Sequence, residues 1–375
     1  MRPAELPSPD SQALAASHAL LQRIGAELGA AGNWISFARY MELALYEPGL
    51  GYYASGARKL GAGGDFVTAP ELSPLFGRTL ARQVAQLLQP GDAVLEFGAG
   101  SGTLAETLLS ELENINYKIL EPSAELASRQ KSRLGNRVQW LDRLPERFRG
   151  VMLANEVADA MPVHALAWTR GGVLERGVCG NEGQLAWSDR PAHGSVLVAA
   201  QEIDLEIPPS GRYESELALA ARAWMRSLGR FLERGAILVI DFGFPAREYF
   251  HPQRSMGTLA CHYRHRVHGD PFYLPGLQDV TAHVDFSALA GAAAEAGLDV
   301  LGYANQAQFL VNCGVTDLLA GENPADLKRY LPAAAAAQKL LSPSEMGELF
   351  KVLAVGRGIE APLLGFSSGD RSHAL

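Results

Sequence analysis

The stretch of residues 94–103 holds the residue types best suited to binding a ligand. Glu96 lies in an apolar run, and Gly98, Gly100 and Gly102 follow at every second position. The apolar run predicts a buried parallel strand, and residues 104–109 predict a helix behind it. Glycines between a strand and a helix let backbone N–H groups approach a ligand at the helix N-terminus. A tight turn without a ligand remains the alternative for this stretch alone.

The spacing of the glycines distinguishes between two kinds of ligand-binding turn. A dinucleotide fingerprint needs a glycine at position 103, where this chain has Thr103. The observed Glu-x-Gly-x-Gly-x-Gly order instead resembles the first motif of class I S-adenosylmethionine (SAM) methyltransferases. This resemblance implies SAM as the cofactor, contacted by Glu96 and the three glycines.

Further acids lie close to the ends of the strands that follow. Glu121, Asp142 and Glu156 each come just after or at the end of a predicted strand, as Glu96 does. Ligands of parallel sheets lie at the carboxyl ends of strands, near the point where strand order reverses. Glu121 stands about 20 residues beyond the turn, where a carboxylate can hold both ribose hydroxyls. We therefore predict Glu121 and Asp142 as cofactor contacts, although one acid at a strand end is more often merely solvated.

An alternation of strands and helices is required to position these residues. Strands are predicted at residues 94–97, 115–120, 138–141, 151–154, 236–243, 299–305 and 350–356. Helices are predicted at residues 104–109, 124–134, 286–296 and 307–340. This order predicts an α/β fold, a Rossmann-like and mostly parallel sheet with helices on both faces.

Two other regions flank or interrupt that sheet. Helical spacing predicts a helical N-terminal region, with helices at residues 11–30, 36–44 and 75–88. Short β-type runs at 165–169, 173–178, 184–187 and 196–200 predict an antiparallel insertion, followed by a helix at 215–232. We divide the chain into residues 1–90, a catalytic domain at 91–356 and a flexible tail at 357–375. The catalytic domain contains the insertion, about 164–210, and a substrate-side loop, about 244–282.

The segment of residues 61–77 precedes the glycine motif and is rich in glycine. It joins flexible glycines to Asp65, Thr68, Pro70 and Glu71, and a helix opens near Ser73. Loops of this length are often functional, so we predict a cover over the ligand that Thr68 and Pro70 contact. A surface loop with a helix cap is the alternative.

A histidine-rich loop follows the strand at 236–243. His251, His262, His265 and His268 lie in it, with Arg264 and Arg266 between them. Such a cluster could bind a metal, but it has no paired cysteine and the arginines would repel a cation. We predict no metal here.

The composition sets limits on partners and location. The 375 residues carry a formal net charge of −8, which argues against binding nucleic acid through bulk electrostatics. The three cysteines are widely spaced, so no disulfide framework is expected. No apolar run is long enough to span a membrane, and the first residues resemble no targeting leader. We predict a cytoplasmic protein; the oligomeric state does not follow from the sequence.

Taken together, these pieces resemble one family, that of MidA and the mitochondrial NADH dehydrogenase (complex I) assembly factor 7. The resemblance runs from about residue 36 to residue 356. Its segments are residues 46–53, 64–71, 96–102, 154–164, 239–243, 279–286 and 350–355. It implies a SAM-dependent methyltransferase acting on a protein arginine, with a respiratory-complex subunit as the protein partner.

The segment after the fourth strand offers the candidate catalytic residues. A guanidinium stays protonated at neutral pH, so a carboxylate must localise its charge and orient one nitrogen. Glu156 and Asp159 are our candidates, and Asn155 could orient the acceptor or SAM; Asp159 could instead cap a helix. Two alternatives remain open: a methyltransferase of another acceptor, and a SAM-binding assembly or scaffold protein with little catalysis.

Overall fold

A computed structural model describes residues 6–55, 68–181 and 184–375 of the chain. Its contacts divide the chain into two compact units. Unit 1 comprises Met1–Phe66, Asp159–Arg222 and Ala246–His283, and unit 2 comprises Val67–Ala158, Ala223–Pro245 and Val284–Leu375. This division is discontinuous in sequence, and the predicted boundaries at residues 90 and 356 stay predictions.

The strands of the described residues are named in chain order. They are β1 (Ile35–Ser36), β2 (Ala93–Phe97), β3 (Asn116–Leu120), β4 (Val138–Trp140), β5 (Phe148–Asn155), β6 (His164–Thr169), β7 (Gly172–Asn181), β8 (Gln184–Pro191), β9 (Arg212–Leu217), β10 (Leu232–Phe244), β11 (Ala260–Tyr263), β12 (Arg266–His268), β13 (Asp279–Thr281), β14 (Val284–Asp285), β15 (Asp299–Asn305) and β16 (Phe350–Arg357).

The α-helices are named in the same way. They are α1 (Ser11–Ala30), α2 (Phe37–Tyr46), α3 (Ala69–Leu72), α4 (Pro74–Leu87), α5 (Thr103–Glu111), α6 (Ala124–Leu134), α7 (Gly194–Gln201), α8 (Leu219–Phe231), α9 (Ala246–Tyr249), α10 (Phe286–Glu295), α11 (Gln306–Asn312), α12 (Val315–Ala320), α13 (Leu327–Leu341) and α14 (Met346–Leu349). Short 3-10 turns lie at Gly135–Arg137, Pro252–Arg254, Leu364–Phe366 and Ser372–Ala374.

Unit 2 contains the predicted mostly parallel sheet, which is confirmed. Its strand order is β15-β16-β10-β5-β2-β3-β4, and β14 pairs with β10. Neighbours from β10 to β4 pair in parallel, whereas β16 is antiparallel to both β10 and β15. The chain leaves β2 toward β3 and β4 and then returns to its other side at β5. Strand order therefore reverses at β2, where a ligand of such a sheet is expected.

The core of unit 2 explains why these segments form a sheet. All five residues of β2 are buried, as a strand covered on both faces requires. Helices α4 and α5 pack apolar side chains such as Leu80, Val84 and Leu108 into the same cluster. Ser73 begins α4 by accepting a hydrogen bond from the backbone N–H of Leu75, as the sequence predicts.

Unit 1 contains two antiparallel sheets and helices α1 and α2. One sheet has the order β1-β7-β6-β9 with β8 on β7, and the other has the order β12-β11-β13. The predicted helices at 11–30 and after Ser36 are confirmed, with Asp10 and Ser36 as their N-caps. Residues 244–282, predicted as a loop, include the second sheet, whose strands are too short to give a clear alternation.

Three other predicted elements are corrected by the structure. The predicted strand at 196–200 lies in α7, because Val196, Ala199 and Ala200 are buried at helical spacing. The predicted helix start at 215 lies inside β9, whose residues pair with β6, and α8 begins at Leu219. Residues 307–340 are interrupted at Gly314, which has a φ of +81°.

The tail predicted as flexible is packed against unit 2. Leu363 and Phe366 are buried in its core cluster. The backbone N–H of Arg371 donates to the carbonyl of Tyr303 at 2.6 Å, and Asp370 accepts from the backbone N–H of Tyr303. Buried apolar side chains and backbone pairing of this kind are what a mobile tail lacks.

Candidate functional site

The glycine motif forms a tight turn between β2 and α5 in unit 2. Gly98, Gly100 and Gly102 all have positive φ, at +58°, +55° and +81°. A Cβ added to Gly102 would lie 3.3 Å from Leu134 and 3.6 Å from Gln130, both on α6. The turn is therefore backed closely by α6. Glycine at these three positions keeps side chains away from this edge of the sheet.

Three site residues lie at the carboxyl ends of three adjacent strands, at the same level of the sheet. Phe97 at the end of β2 pairs with Leu120 of β3 and Ala154 of β5. Gly98, Glu121 and Asn155 are the next residues along these chains. The register thus brings the glycine turn, the predicted ribose carboxylate and the Asn-Glu segment to one edge of the sheet.

Glu121 is held by a set of hydrogen bonds beside the glycine turn. Its Oε1 accepts from the backbone N–H of Ser123 at 3.0 Å, and its Oε2 accepts from Nε2 of Gln130 at 3.0 Å. Burial raises the pKa of the Glu121 carboxyl, and the hydrogen bonds from Ser123, Gln130 and Gly100 oppose that rise.

Glu96 is almost fully buried beneath the same edge, at 3% exposure. The hydroxyl of Tyr117 donates to its Oε2 at 2.8 Å. Burial raises the pKa of Glu96 to about 7, opposed by the Tyr117 hydrogen bond and assisted by the charge of Glu121. In the structure Glu96 contacts Tyr117; a cofactor contact for it stays a prediction.

A polar clamp connects the short helix α3 to the glycine turn. Glu71 accepts hydrogen bonds from the hydroxyls of Ser101 and Thr103. On the other side, the guanidinium of Arg133 donates to the Ser101 carbonyl at 3.0 Å and to the Thr103 hydroxyl at 2.6 Å. The clamp holds α3 against the turn, and cofactor contacts of Thr68 and Pro70 at the start of α3 stay predictions. The rest of the predicted cover, residues 61–67, lies outside the described residues.

Asn155 and Glu156 form the second half of the site. Oε1 of Glu156 accepts from Nδ2 of Asn155 at 3.1 Å and from the backbone N–H of Ala69 at 3.3 Å. A carboxylate only accepts hydrogen bonds, so the amide nitrogen of Asn155 must face Glu156 and its oxygen must face away. Oδ1 of Asn155 is buried and has no hydrogen-bond partner among the described residues. Such an atom is costly unless a ligand or an ordered water donates to it.

Asp241, at the end of β10's buried run, fixes the backbone that follows Glu156. It is 0% exposed, and its Oδ2 accepts from the backbone N–H groups of Val157 at 3.2 Å and Ala158 at 3.0 Å. Glu156 itself has a φ of +53°, a conformation that non-glycine residues seldom adopt. Strain of this kind persists where the surroundings fix it, often at functional sites.

Asp159 belongs to unit 1 and is described there. It is buried, and its backbone carbonyl accepts from the N–H of Ala282 at 3.0 Å. Its charge and that of Asp279 raise the pKa of Tyr53, together with burial, which is the largest cause. The hydroxyl of Tyr53 donates to Asp279 at 2.9 Å. No helix begins at Asp159 in the described chain, so the alternative of a helix cap is wrong.

The remaining predicted residues have the following places. Asp142 is exposed in the turn after β4, and its cofactor role stays a prediction. Within the described residues no group of three or more histidine, cysteine or acidic side chains could hold a metal ion. His268 in the histidine-rich segment is partly buried, which lowers its pKa, and its ring lies against Tyr273.

Gln130, Arg133 and Asp241 were missed by the sequence reasoning, and Glu71 was named in the glycine-rich segment without a role of its own. Gln130 had a detectable signal, because it lies on the apolar stripe of α6 four residues before the buried Leu134. Asp241 follows a buried apolar run as the other strand-end acids do. Arg133 gave no signal, since a charged residue on a helix face is usually solvated.

The residues present fit a nucleoside-containing ligand with a cationic end. The glycine turn leaves room for close approach, and the Glu121 carboxylate can accept from ribose hydroxyls. This is the combination of groups that SAM, with its ribose and its charged methionyl part, would meet.

Comparison with known proteins agrees with this geometry. Residues 75–304 match the model of a family described as "Putative S-adenosyl-L-methionine-dependent methyltransferase". The chain is 30% identical to the mitochondrial protein arginine methyltransferase NDUFAF7 of Danio rerio, over 90% of this chain and 86% of that protein. It is 28% identical to NDUFAF7 of Homo sapiens, over 86% and 80% respectively.

A solved structure extends the likeness to nearly the whole chain. A protein from Burkholderia thailandensis, crystallised with S-adenosyl-homocysteine, is 51% identical and superposes with a TM-score of 0.94. The match covers 99% of this chain and 100% of the other.

Proposed function

Since this chain belongs to the family of S-adenosyl-L-methionine-dependent methyltransferases matched at residues 75–304, we propose that its acceptor is an arginine side chain of a protein. The chain is a methyltransferase, and SAM is its cofactor. The proposal adds the acceptor, which the family alone does not specify.

The observation that carries the proposal is the pair Asn155 and Glu156. This pair offers a ligand hydrogen-bond acceptors. The amide oxygen of Asn155 is buried, and the neighbouring carboxylate of Glu156 orients it. A guanidinium has five N–H donors and no acceptor, so it suits such a pair. The NDUFAF7 relatives, which are named protein arginine methyltransferases, support the same acceptor.

The roles of the two residues follow from their hydrogen bonds. SAM supplies an electrophilic methyl group on its sulfonium. Asn155 accepts a hydrogen bond from one guanidinium N–H and so aligns the planar group. Glu156 supplies the negative charge that favours a cation nearby and holds the amide of Asn155 in place. The catalytic role predicted for Asp159 stays a prediction.

The partner and the location remain parts of the proposal. Because relatives are named protein arginine methyltransferases, we propose a protein substrate. The family resemblance drawn from the sequence makes a respiratory-complex subunit our candidate for it. We place this chain in the cytoplasm, which its free cysteines suit, with Cys261 and Cys313 buried. Within the described residues no helix is long and apolar enough to cross a membrane.

The test uses SAM labelled in its methyl group and a lysate of cells lacking this protein. We expect label in a small number of protein bands, and mass spectrometry of the hydrolysed bands should give methylarginine. Label in another amino acid would overturn the arginine proposal and favour a methyltransferase of another acceptor. Absence of label, with S-adenosyl-homocysteine still bound, would favour an assembly protein with little catalysis.

A further inference from the structure

One fully buried polar side chain in unit 2 connects the elements of the cofactor site. Gln130 on α6 is 0% exposed. Its Nε2 donates to the carbonyl of Gly100 and to Oε2 of Glu121, both at 3.0 Å. Its Oε1 accepts from Nε1 of Trp140 at 3.1 Å. The amide of Gln130 thus joins the glycine turn, the end of β3 and the end of β4.

The orientation of this amide is determined by its neighbours. The Gly100 carbonyl and the Glu121 carboxylate are both acceptors, so the nitrogen must face them, and the indole N–H of Trp140 requires the oxygen. With both amide hydrogens used in this way, Gln130 keeps the carboxylate and the turn at a fixed separation. Replacing it would leave three partly buried polar groups to find other partners.

We propose that Gln130 is a positioning residue for the cofactor, which aligns the Glu121 carboxylate with the glycine turn so that both ribose hydroxyls are held. This inference rests on the SAM site of the proposed function, and it adds a residue that acts through Glu121. It concerns binding of the cofactor and is independent of the acceptor.

The same hydrogen bond favours the ionised form of Glu121. Burial raises the pKa of Glu121 and the bond from Gln130 lowers it, so removing the bond moves this pKa upward. The other groups that bear on Glu121 are the Glu96 carboxyl on β2, the Tyr117 hydroxyl that binds Glu96, and the backbone N–H groups of Ser123 and Gly100. A substitution at residue 130 keeps all of these groups in the chain, so a difference in pH dependence reports the loss of the Gln130 bond and of the alignment that it maintains.

The experiment compares Gln130→Met with a matched control, Gln139→Met, by calorimetry with S-adenosyl-homocysteine. Gln139 lies exposed on β4, so its substitution makes the same chemical change away from the site. We expect Gln130→Met to weaken binding about tenfold or more, and Gln139→Met to leave it unchanged. As the pH is lowered, the affinity of Gln130→Met for S-adenosyl-homocysteine should begin to fall at a higher pH than that of the wild type.

A second ligand separates positioning from general damage to the fold. The 2′,3′-dideoxy analogue of S-adenosyl-homocysteine lacks the hydroxyls that Glu121 would hold, so wild type and Gln130→Met should bind it with equal affinity. Equal weakening of both ligands, or an unshifted pH profile, would overturn the proposal. Tight binding by the wild type without methylarginine formation would instead contradict the proposed acceptor and leave this inference intact.

Discussion

The two halves of the site in unit 2 differ in how completely the protein satisfies its own polar groups. The cofactor side comprises the glycine turn, Glu121 and Gln130. There the buried amide of Gln130 has protein partners for both its nitrogen and its oxygen. On the acceptor side, which comprises Asn155 and Glu156, the amide oxygen of Asn155 is buried without a partner among the described residues.

This difference indicates two kinds of preparation for a ligand. A fully bonded network is rigid, and it can present a carboxylate and a turn in one fixed geometry. A buried acceptor without a partner costs free energy until a donor arrives, and that cost is recovered when the acceptor substrate binds. The cofactor side should therefore control affinity for SAM, and the acceptor side should control methyl transfer.

The largest effect is expected from filling the glycine turn. Gly102→Val places a branched side chain at a φ of +81° and within contact distance of Leu134 and Gln130. Both the strain and the displaced α6 act on the cofactor side, so calorimetry should show at least about a hundredfold weaker binding of S-adenosyl-homocysteine.

A matched control distinguishes the contact from the backbone strain. Gly135 has a φ of +58° and open space where a Cβ would be. Gly135→Val should lower the free energy of unfolding and leave the affinity for S-adenosyl-homocysteine within about twofold. An equal loss of affinity in both variants would mean that the contact between the turn and α6 does not affect cofactor binding.

The next effect concerns the acceptor side alone. Asn155→Ala removes the unpartnered amide oxygen, and losing a hydrogen bond to a charged group costs about 1.5–3 kcal/mol. We expect methyl transfer to fall about tenfold to a hundredfold, with binding of S-adenosyl-homocysteine nearly unchanged. Glu156→Gln should also reduce transfer. The guanidinium would no longer have the negative charge of Glu156 nearby, and Asn155 would lose the carboxylate that orients its amide. Transfer at the normal rate in Asn155→Ala would remove that residue from the acceptor site.

A smaller effect is expected from the residue that supports the acceptor side. Asp241→Asn replaces one of the two accepting oxygens with an NH2 group, which cannot accept a hydrogen bond. The single remaining oxygen cannot accept from the backbone N–H groups of residues 157, 158 and 242 together. The turn after Glu156 should shift, and transfer should fall several-fold with a loss of about 1–3 kcal/mol in the free energy of unfolding. An unchanged transfer rate would show that this turn tolerates displacement.

Much of the cofactor side could be predicted from sequence, because its signals are local. The glycines, the apolar run of β2 and the acid at the end of β3 are all read from short stretches. The place of Gln130 on the apolar stripe of α6 indicates burial, but its hydrogen-bond partners depend on the tertiary packing of α6 against the turn. The chemistry of Asn155 also needed the structure, since its orientation follows from Glu156 and Ala69.

The elements that failed did so for a similar reason. Residues 196–200 are apolar and β-branched enough to resemble a strand, but a helix buries Val196 and Ala200 on one side. The tail at 357–375 is rich in glycine and serine, yet Phe366 finds a place in the core against Gly302. Tertiary packing overrides local preference at both places.

The smallest effect on methyl transfer is expected from a substitution at Glu96. Its main effect should be on the pH dependence of the free energy of unfolding. Burial raises the pKa of Glu96 to about 7 from an ordinary value of 4.5, so the folded state favours the protonated carboxyl. The resulting stabilisation is present below about pH 4.5 and is lost as the pH rises through about 7. Glu96→Gln keeps an acceptor for Tyr117 without the charge. Chemical unfolding at pH 4 and pH 8 should show the wild type losing on the order of 3 kcal/mol more than the variant; an equal loss would contradict the assignment.

The separation of the two sides is tested most directly by one measurement, the initial rate of labelled methyl transfer to lysate protein at low and at saturating SAM. For Gln130→Met we predict a reduced rate at low SAM and a normal rate at saturation, because this residue acts on cofactor affinity. For Asn155→Ala we predict a reduced rate at both concentrations, because this residue acts on the acceptor. A normal rate of Asn155→Ala at saturating SAM, or an equal reduction of Gln130→Met at both concentrations, would contradict the account.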